Sequence, residues 1–246
     1  MLLEITKNTL KKAIDTSKPV LFAPTLPIAK AFWEVAAKEL GAEHRQEHEH
    51  TTHVFGICEA HRYDSFSLHT PAIGAPIITF LLQPILELGV KEVLLLSICG
   101  GIRSECNKTI SIGDIICPSA AICDEGTSPH YGAKELITLA DPSLQEKILK
   151  FVKNNYQVHE GAIWTTDAIY KETPERVRKY AQKGAIGVDM ELSAAMHLCN
   201  LYGAKLGAIF AVSDVTGDDF AVGLHEHSFQ QALSYAAQIL CTYLKS

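Results

Sequence analysis

An α/β layer fold is what this 246-residue sequence predicts, and three observations predict it. Short apolar runs alternate with stretches of helical spacing, the pattern of strand and helix units layered on a largely parallel or mixed sheet. The most apolar run, KEVLLLSICGG (91–101), shows no in-out alternation, so it reads as a strand covered on both faces. Hydrophobic residues make up 47% and charged residues 20%, which suits a packed globular chain and excludes a disordered one. The length fits one domain spanning 1–246.

The elements follow in order. KPVLFAP (18–24) is a short apolar run closed by proline, hence a buried strand. IAKAFWEVAAKELG (28–41) has helical spacing and stops on glycine. THVFGIC and YDSFSLHT flank a polar turn and predict a hairpin. GAPIITFLLQPILELGV (74–90) predicts an apolar helix kinked or broken at Pro84. The strand 91–101 ends in two glycines, which permit close approach of backbone or ligand. IGDIICPSAAICDEGTSPHYG (112–132) gives one or two strands running into a loop.

DPSLQEKILKFVKNNY (141–156) places Leu144, Ile148, Phe151 and Val152 on one helix face behind an Asp/Ser cap. HEGAIWTTDAIY is a strand entering a loop. TPERVRKYAQKG (173–184) carries Thr as cap, Pro at the first helical position and a terminal Gly. GAIGVDMELSAAMHLCNLYG (184–203) opens a buried helix, AKLGAIFAVSD (204–214) is a strand ending in an acid, and HSFQQALSYAAQILCTYL closes the chain as an amphipathic helix.

The bulk chemistry excludes several functions. Net charge is −6, unlike a basic nucleic-acid surface. No apolar run is long enough to span a bilayer. The first twenty residues put lysines after a very short apolar start, the reverse of a secretory signal. Seven cysteines, an odd number without a CxxC, read as small buried hydrophobes of a reducing compartment. The expected location is cytoplasmic.

Candidate chemistry gathers at strand ends. On a helix, Glu191 shares a face with Ala194, Ala195, Leu198 and Tyr202. An acid on an apolar stripe needs a partner or a cleft. Two alternatives stand: a structural acid at the helix head, where N–H groups favour carboxylates, or a ligand-facing group. Ser213 and Asp214 end another apolar strand, where ligands bind in open α/β sheets. The SICGG stretch supplies a third strand end with Cys99 and Gly100. HRQEHEHTTH could offer His48, His50 and His53 to zinc, but no fourth ligand is visible and a polar loop is the expectation, with no metal. His130 reads as a loop histidine, and Asp218 with Asp219 as a solvated turn near Asp214.

WTTDAIYKETPERVRKYAQKGAIGVDMELSAA followed by GAIFAVSD resembles the nucleoside phosphorylase family that contains hexameric purine nucleoside phosphorylase and uridine phosphorylase. ITKNTLKKA, EHRQEH, PAIGAP, SICGGI and SIGDIICPSAAICDEGTSPHY fall in that family's order. The resemblance covers nearly the whole chain. It implies a single-domain, three-layer fold on a mixed, partly barrel-like sheet, and cleavage of a purine-type nucleoside's N-glycosidic bond by phosphate. Asp214 would be the acid toward the purine. Glu191 would take ribose hydroxyls, Met190 would pack on the sugar, and Ser213, Cys99, Gly100 and Ile169 would line the base. Asp189 would have a lesser role. Arg45 would be shared across subunits of a homo-oligomer, a dimer or hexamer, on a co-substrate phosphate. No metal or organic cofactor is implied.

The sequence departs from the family at the phosphate. Pro24 stands for the glycine of the first loop, Ile28 and Leu95 for arginines, Ile98 for a hydroxyl residue, and Leu2 for a neighbour's histidine. Alternatives are therefore a nucleosidase using water, or a nucleoside-binding protein without turnover.

Overall fold

The computed structural model describes residues 1–41, 51–104, 109–152, 156–217 and 220–246. Its strands are β1 (Val20–Phe22), β2 (Thr51–Val54), β3 (Cys58–Arg62), β4 (Ser67–Thr70), β5 (Glu92–Ile102), β6 (Ile115–Asp124), β7 (Leu136–Thr138), β8 (Val158–Thr166), β9 (Ala185–Asp189), β10 (Lys205–Thr216) and β11 (Ala221–Val222). They form one sheet in the order β11-β10-β6-β8-β9-β5-β1-β4-β3-β2, with β7 on β6. A further pairing joins β10 to β5. That pairing closes β5, β10, β6, β8 and β9 into a ring, so the sheet is mixed and partly barrel-like.

Helices cover both faces. On one side lie α1 (Leu2–Leu10), α3 (Ala75–Glu87) and α6 (Leu192–Leu201); on the other lie α2 (Leu26–Leu40), α4 (Ser143–Phe151) and α7 (His227–Lys245). The continuous apolar run of β5 is explained by this sandwich. Val93, Leu95 and Cys99 enter the first core, while Leu94 and Leu96 enter the second. A smaller cluster holds α5 (Pro174–Gln182) to the barrel, where the buried Trp164 stacks on Tyr180 with ring centroids 4.2 Å apart. Stacked aromatic pairs of this kind add to the gain from burial alone.

Several expectations are corrected. Helix α1 carries little sequence signal, because Leu2 and Ile5 are exposed and its inner face is short. Thr25, not the segment from Ile28, starts α2: its hydroxyl accepts from the Ile28 N–H at 3.5 Å. Pro84 does not break α3, which continues to Glu87. The expected hairpin is a three-stranded meander, since the turn at 55–57 splits THVFGIC into β2 and β3. Helix α4 ends at Phe151, and Val152 is extended. Among the described residues no helix is long and apolar enough to cross a membrane.

Candidate functional site

Register brings the first four candidates together. β5 and β10 run parallel, pairing Val212 with Cys99 and Asp214 with Gly100. The mismatch makes Ser213 a bulged residue, and bulges re-aim side chains beside sites. The Ser213 hydroxyl lies 3.3 Å from the Cys99 carbonyl and donates to Asp214 Oδ1 at 2.7 Å. Gly100 is required by what lies above it: a Cβ there would sit 2.8 Å from Asp214 Oδ2 and 3.0 Å from Val188 Cγ1. Gly100→Ala is therefore expected to push the Asp214 carboxylate aside and lower any activity that uses it by about 10²-fold. A flexible carboxylate yields cheaply, so thermal melting should change little while turnover falls.

β9 runs antiparallel to β5 with Val188 opposite Gly100. The chain then delivers Asp189, Met190 and Glu191 beside the same strand end. Glu191 and Asp189 are 4% and 6% exposed. Glu191 occupies the cap position of α6 but makes no cap bond. Instead its Oε1 accepts from the Gly74 N–H at 2.6 Å. Gly74 has φ +82 at the head of α3, a conformation open to glycine.

The capping falls to Asp189. Its Oδ2 accepts from the Leu192 and Glu191 N–H groups at 2.7 and 3.1 Å, and its Oδ1 from the Thr165 hydroxyl at 2.7 Å. The structural role open to Glu191 in the sequence thus belongs to its neighbour.

Burial pushes both carboxyls above the ordinary carboxylate range, and the Asp189 charge raises Glu191 further. The three donors on Asp189 pull its proton affinity back, so Glu191 is raised the more of the two. A carboxyl whose proton affinity is higher folded than unfolded makes the folded state bind more protons. Stability must then fall as pH rises from the ordinary carboxylate range through the raised folded values. The ligand-free protein should melt at lower temperature at pH 9 than at pH 6, and Glu191→Gln should flatten that slope. A scanning calorimetry series in pH checks this.

Asp214 is half-buried, and burial raises its carboxyl while the Ser213 hydroxyl pulls it back. Glu172 lies close enough to matter. Burial first, then the Asp214 charge, push it up to about 7, against the opposing Arg176 guanidinium. Its position is fixed on both sides. It follows the 3₁₀ turn Ile169–Lys171 and precedes Thr173, whose hydroxyl caps α5. Arg176 binds Asp124, sits 5.2 Å from the Trp164 ring centroid, and so pins the head of α5. Ile169 heads that turn and is 55% exposed. Sequence reading missed Glu172, because an acid before a Thr-Pro cap looks like any solvated helix start. It also missed Glu125, which is buried and takes the Thr127 and Ser128 N–H groups and the Ser193 hydroxyl. Burial raises that carboxyl, but these bonds, led by Ser128, outweigh it and hold it low.

The positions that depart at the phosphate are apolar in space as well. Pro24 is buried, Ile28 and Leu95 are 1% and 0% exposed, and Ile98 is half-buried. Arg45, His48, His50, Asp218 and Asp219 lie outside the described residues. His53 is exposed and pairs with Glu59 at 3.5 Å. Among the described residues no cluster of three His, Cys, Asp or Glu side chains could hold a metal.

Acids and small residues thus converge on the strand ends of a half-closed mixed sheet, the place where α/β folds bind small ligands. The chain belongs to the phosphorylase superfamily, whose family model matches residues 29–245. It is 25% identical over 191 residues to the DeoD-type purine nucleoside phosphorylase of Clostridium novyi (strain NT), covering 76% of this chain and 80% of that protein. Two solved structures share the fold. Uridine phosphorylase from Vibrio fischeri ES114 superposes with TM-score 0.71 at 18% identity, over 95% of each chain. AMP nucleosidase from Bacteroides thetaiotaomicron VPI-5482 superposes with TM-score 0.66 at 20% identity, over 100% of this chain and 99% of that one.

Proposed function

We propose that this chain cleaves the N-glycosidic bond of a purine-type nucleoside, with phosphate as the nucleophile. One observation carries the reading: Asp214, a carboxyl of raised proton affinity, faces the same strand end as the buried acid Glu191. A phosphate oxygen attacks C1′ of the sugar, the C1′–N bond breaks, and its electron pair leaves with the base. Asp214 donates a proton or hydrogen bond to the purine N7, and Ser213 orients it. Glu191 accepts from sugar hydroxyls, which fixes the ring for an oxocarbenium-like transition state. Met190 packs on the sugar; Cys99, Gly100 and Ile169 line the base. Glu172 is a second carboxyl at the base end and favours a base that presents N–H donors. The named purine relative supports this choice of substrate.

The reading includes a homo-oligomer in which Arg45 of a neighbouring copy reaches the phosphate, one domain over 1–246, a cytoplasmic location and no organic cofactor. The exposed Leu2, Ile5, Phe55 and Ile57 support a subunit contact, and the free thiols of the described cysteines support a reducing compartment.

A second reading, attack by water, is favoured by one observation. A dianion needs charge-assisted donors, and Ile28 and Leu95 are buried and apolar. Product analysis separates the two. Incubating inosine, guanosine, adenosine and uridine with and without phosphate should yield purine base and sugar 1-phosphate only when phosphate is present, and no uracil. Free sugar without phosphate establishes hydrolysis in its place.

A further inference from the structure

The head of α6 is held by a buried polar chain that the proposed reaction does not use. Asp189 Oδ1 accepts from the Thr165 hydroxyl, and that Thr165 oxygen accepts from the Ser193 N–H at 3.0 Å. The Ser193 hydroxyl donates to Glu125 Oε1 at 3.0 Å. Thr165 pairs with Asp189 across β8 and β9, so the sheet fixes the first link. Asp189 and Thr165 between them satisfy the N–H groups of Glu191, Leu192 and Ser193, donors that a helix leaves without internal partners. Thr165, Asp189, Ser193 and Glu125 are all at least 94% buried.

Both oxygens of this short, buried acid are engaged, Oδ2 by two backbone N–H groups and Oδ1 by the Thr165 hydroxyl. We propose that Asp189 is a positioning residue: its ionised carboxylate clamps the head of α6 and, with Thr165, Ser193 and Glu125, aims the Glu191 carboxyl. The inference rests on Glu191 being the sugar acid. The clamp has an electrostatic side too. The groups around this point are Asp189 on β9, Glu125 after β6 and the Gly74 N–H at the head of α3, with the Cys99 thiol on β5 near enough to feel the Asp189 charge. The Asp189 carboxylate is the charge nearest in sequence to Glu191 and raises its proton affinity.

The test follows purine nucleoside cleavage against pH for the full chain and four variants. Asp189→Asn keeps the shape and removes the charge. It is expected to move the acid limb of kcat/KM to lower pH by about one unit, a tenfold rate change on that limb. Thr165→Val should raise KM for the nucleoside about tenfold, and Thr165→Ser, which keeps the hydroxyl, should restore it to within about threefold. An unmoved acid limb in Asp189→Asn together with an unchanged KM in Thr165→Val, with only melting temperature lowered, overturns the proposal. If Asp189→Asn does not fold, the Thr165 pair decides alone. Glu191→Gln separates the two levels: full activity in that variant defeats the sugar-acid reading itself, whereas a crippled Glu191→Gln beside indifferent Asp189 and Thr165 variants defeats only the clamp.

Discussion

Asp214→Asn is expected to lower kcat for purine release by about 10²–10⁴-fold, the range of general-acid help. The substitution keeps the shape of the side chain. Asn can still sit over Gly100, where only a glycine leaves room for it, and can still receive the Ser213 hydroxyl. What it cannot do is give up a proton as the base departs. The loss should therefore fall on kcat more than on KM, because proton donation matters only as the bond breaks. It should also shrink with substrates whose bases leave easily without protonation. The wild-type profile should decline as pH rises, since Asp214 works as the protonated acid and burial moves that decline above the ordinary carboxylate range.

Glu191→Ala carries the second large effect, on the order of 10²-fold or more in kcat/KM. Here the variant removes both the anchor on the Gly74 N–H and the proposed acceptor for the sugar hydroxyls. A 2′-deoxynucleoside lacks one of those hydroxyls, so wild type should discriminate against it and Glu191→Ala should not. Loss of that discrimination is the signature of a sugar contact. An equal drop for both substrates would mark a general collapse of the site. Thermal melts of the same variant should show a smaller loss at alkaline pH than wild type, because one buried acid disfavoured there has gone.

Much of this was legible in the sequence for a physical reason. The run 91–101 reads as a strand covered on both faces, because no charged position follows its first two residues. Thr173 with Pro174 announced the head of α5, and the structure places the cap bond there. The acids at 189 and 191 stood out because an apolar stripe has no ordinary use for them. What stayed hidden depends on long-range pairing. The closure of the barrel through β10 and β5 is a register between residues more than a hundred positions apart, and no local pattern carries it. The division of labour between Asp189 and Glu191 was hidden likewise, because it turns on which carboxyl meets Gly74, 117 residues away. Glu172 was hidden by its ordinary surroundings in the chain; only folding brings it to Asp214.

The most direct measurement is chromatographic detection of free purine base after incubating the purified protein with a panel of purine nucleosides in phosphate buffer. Release of the base from at least one of them, abolished in Asp214→Asn and in Glu191→Ala, is the predicted result. Saturable binding of the same nucleosides with no base released, with or without phosphate, would contradict it and leave a pocket that holds nucleosides without cleaving them.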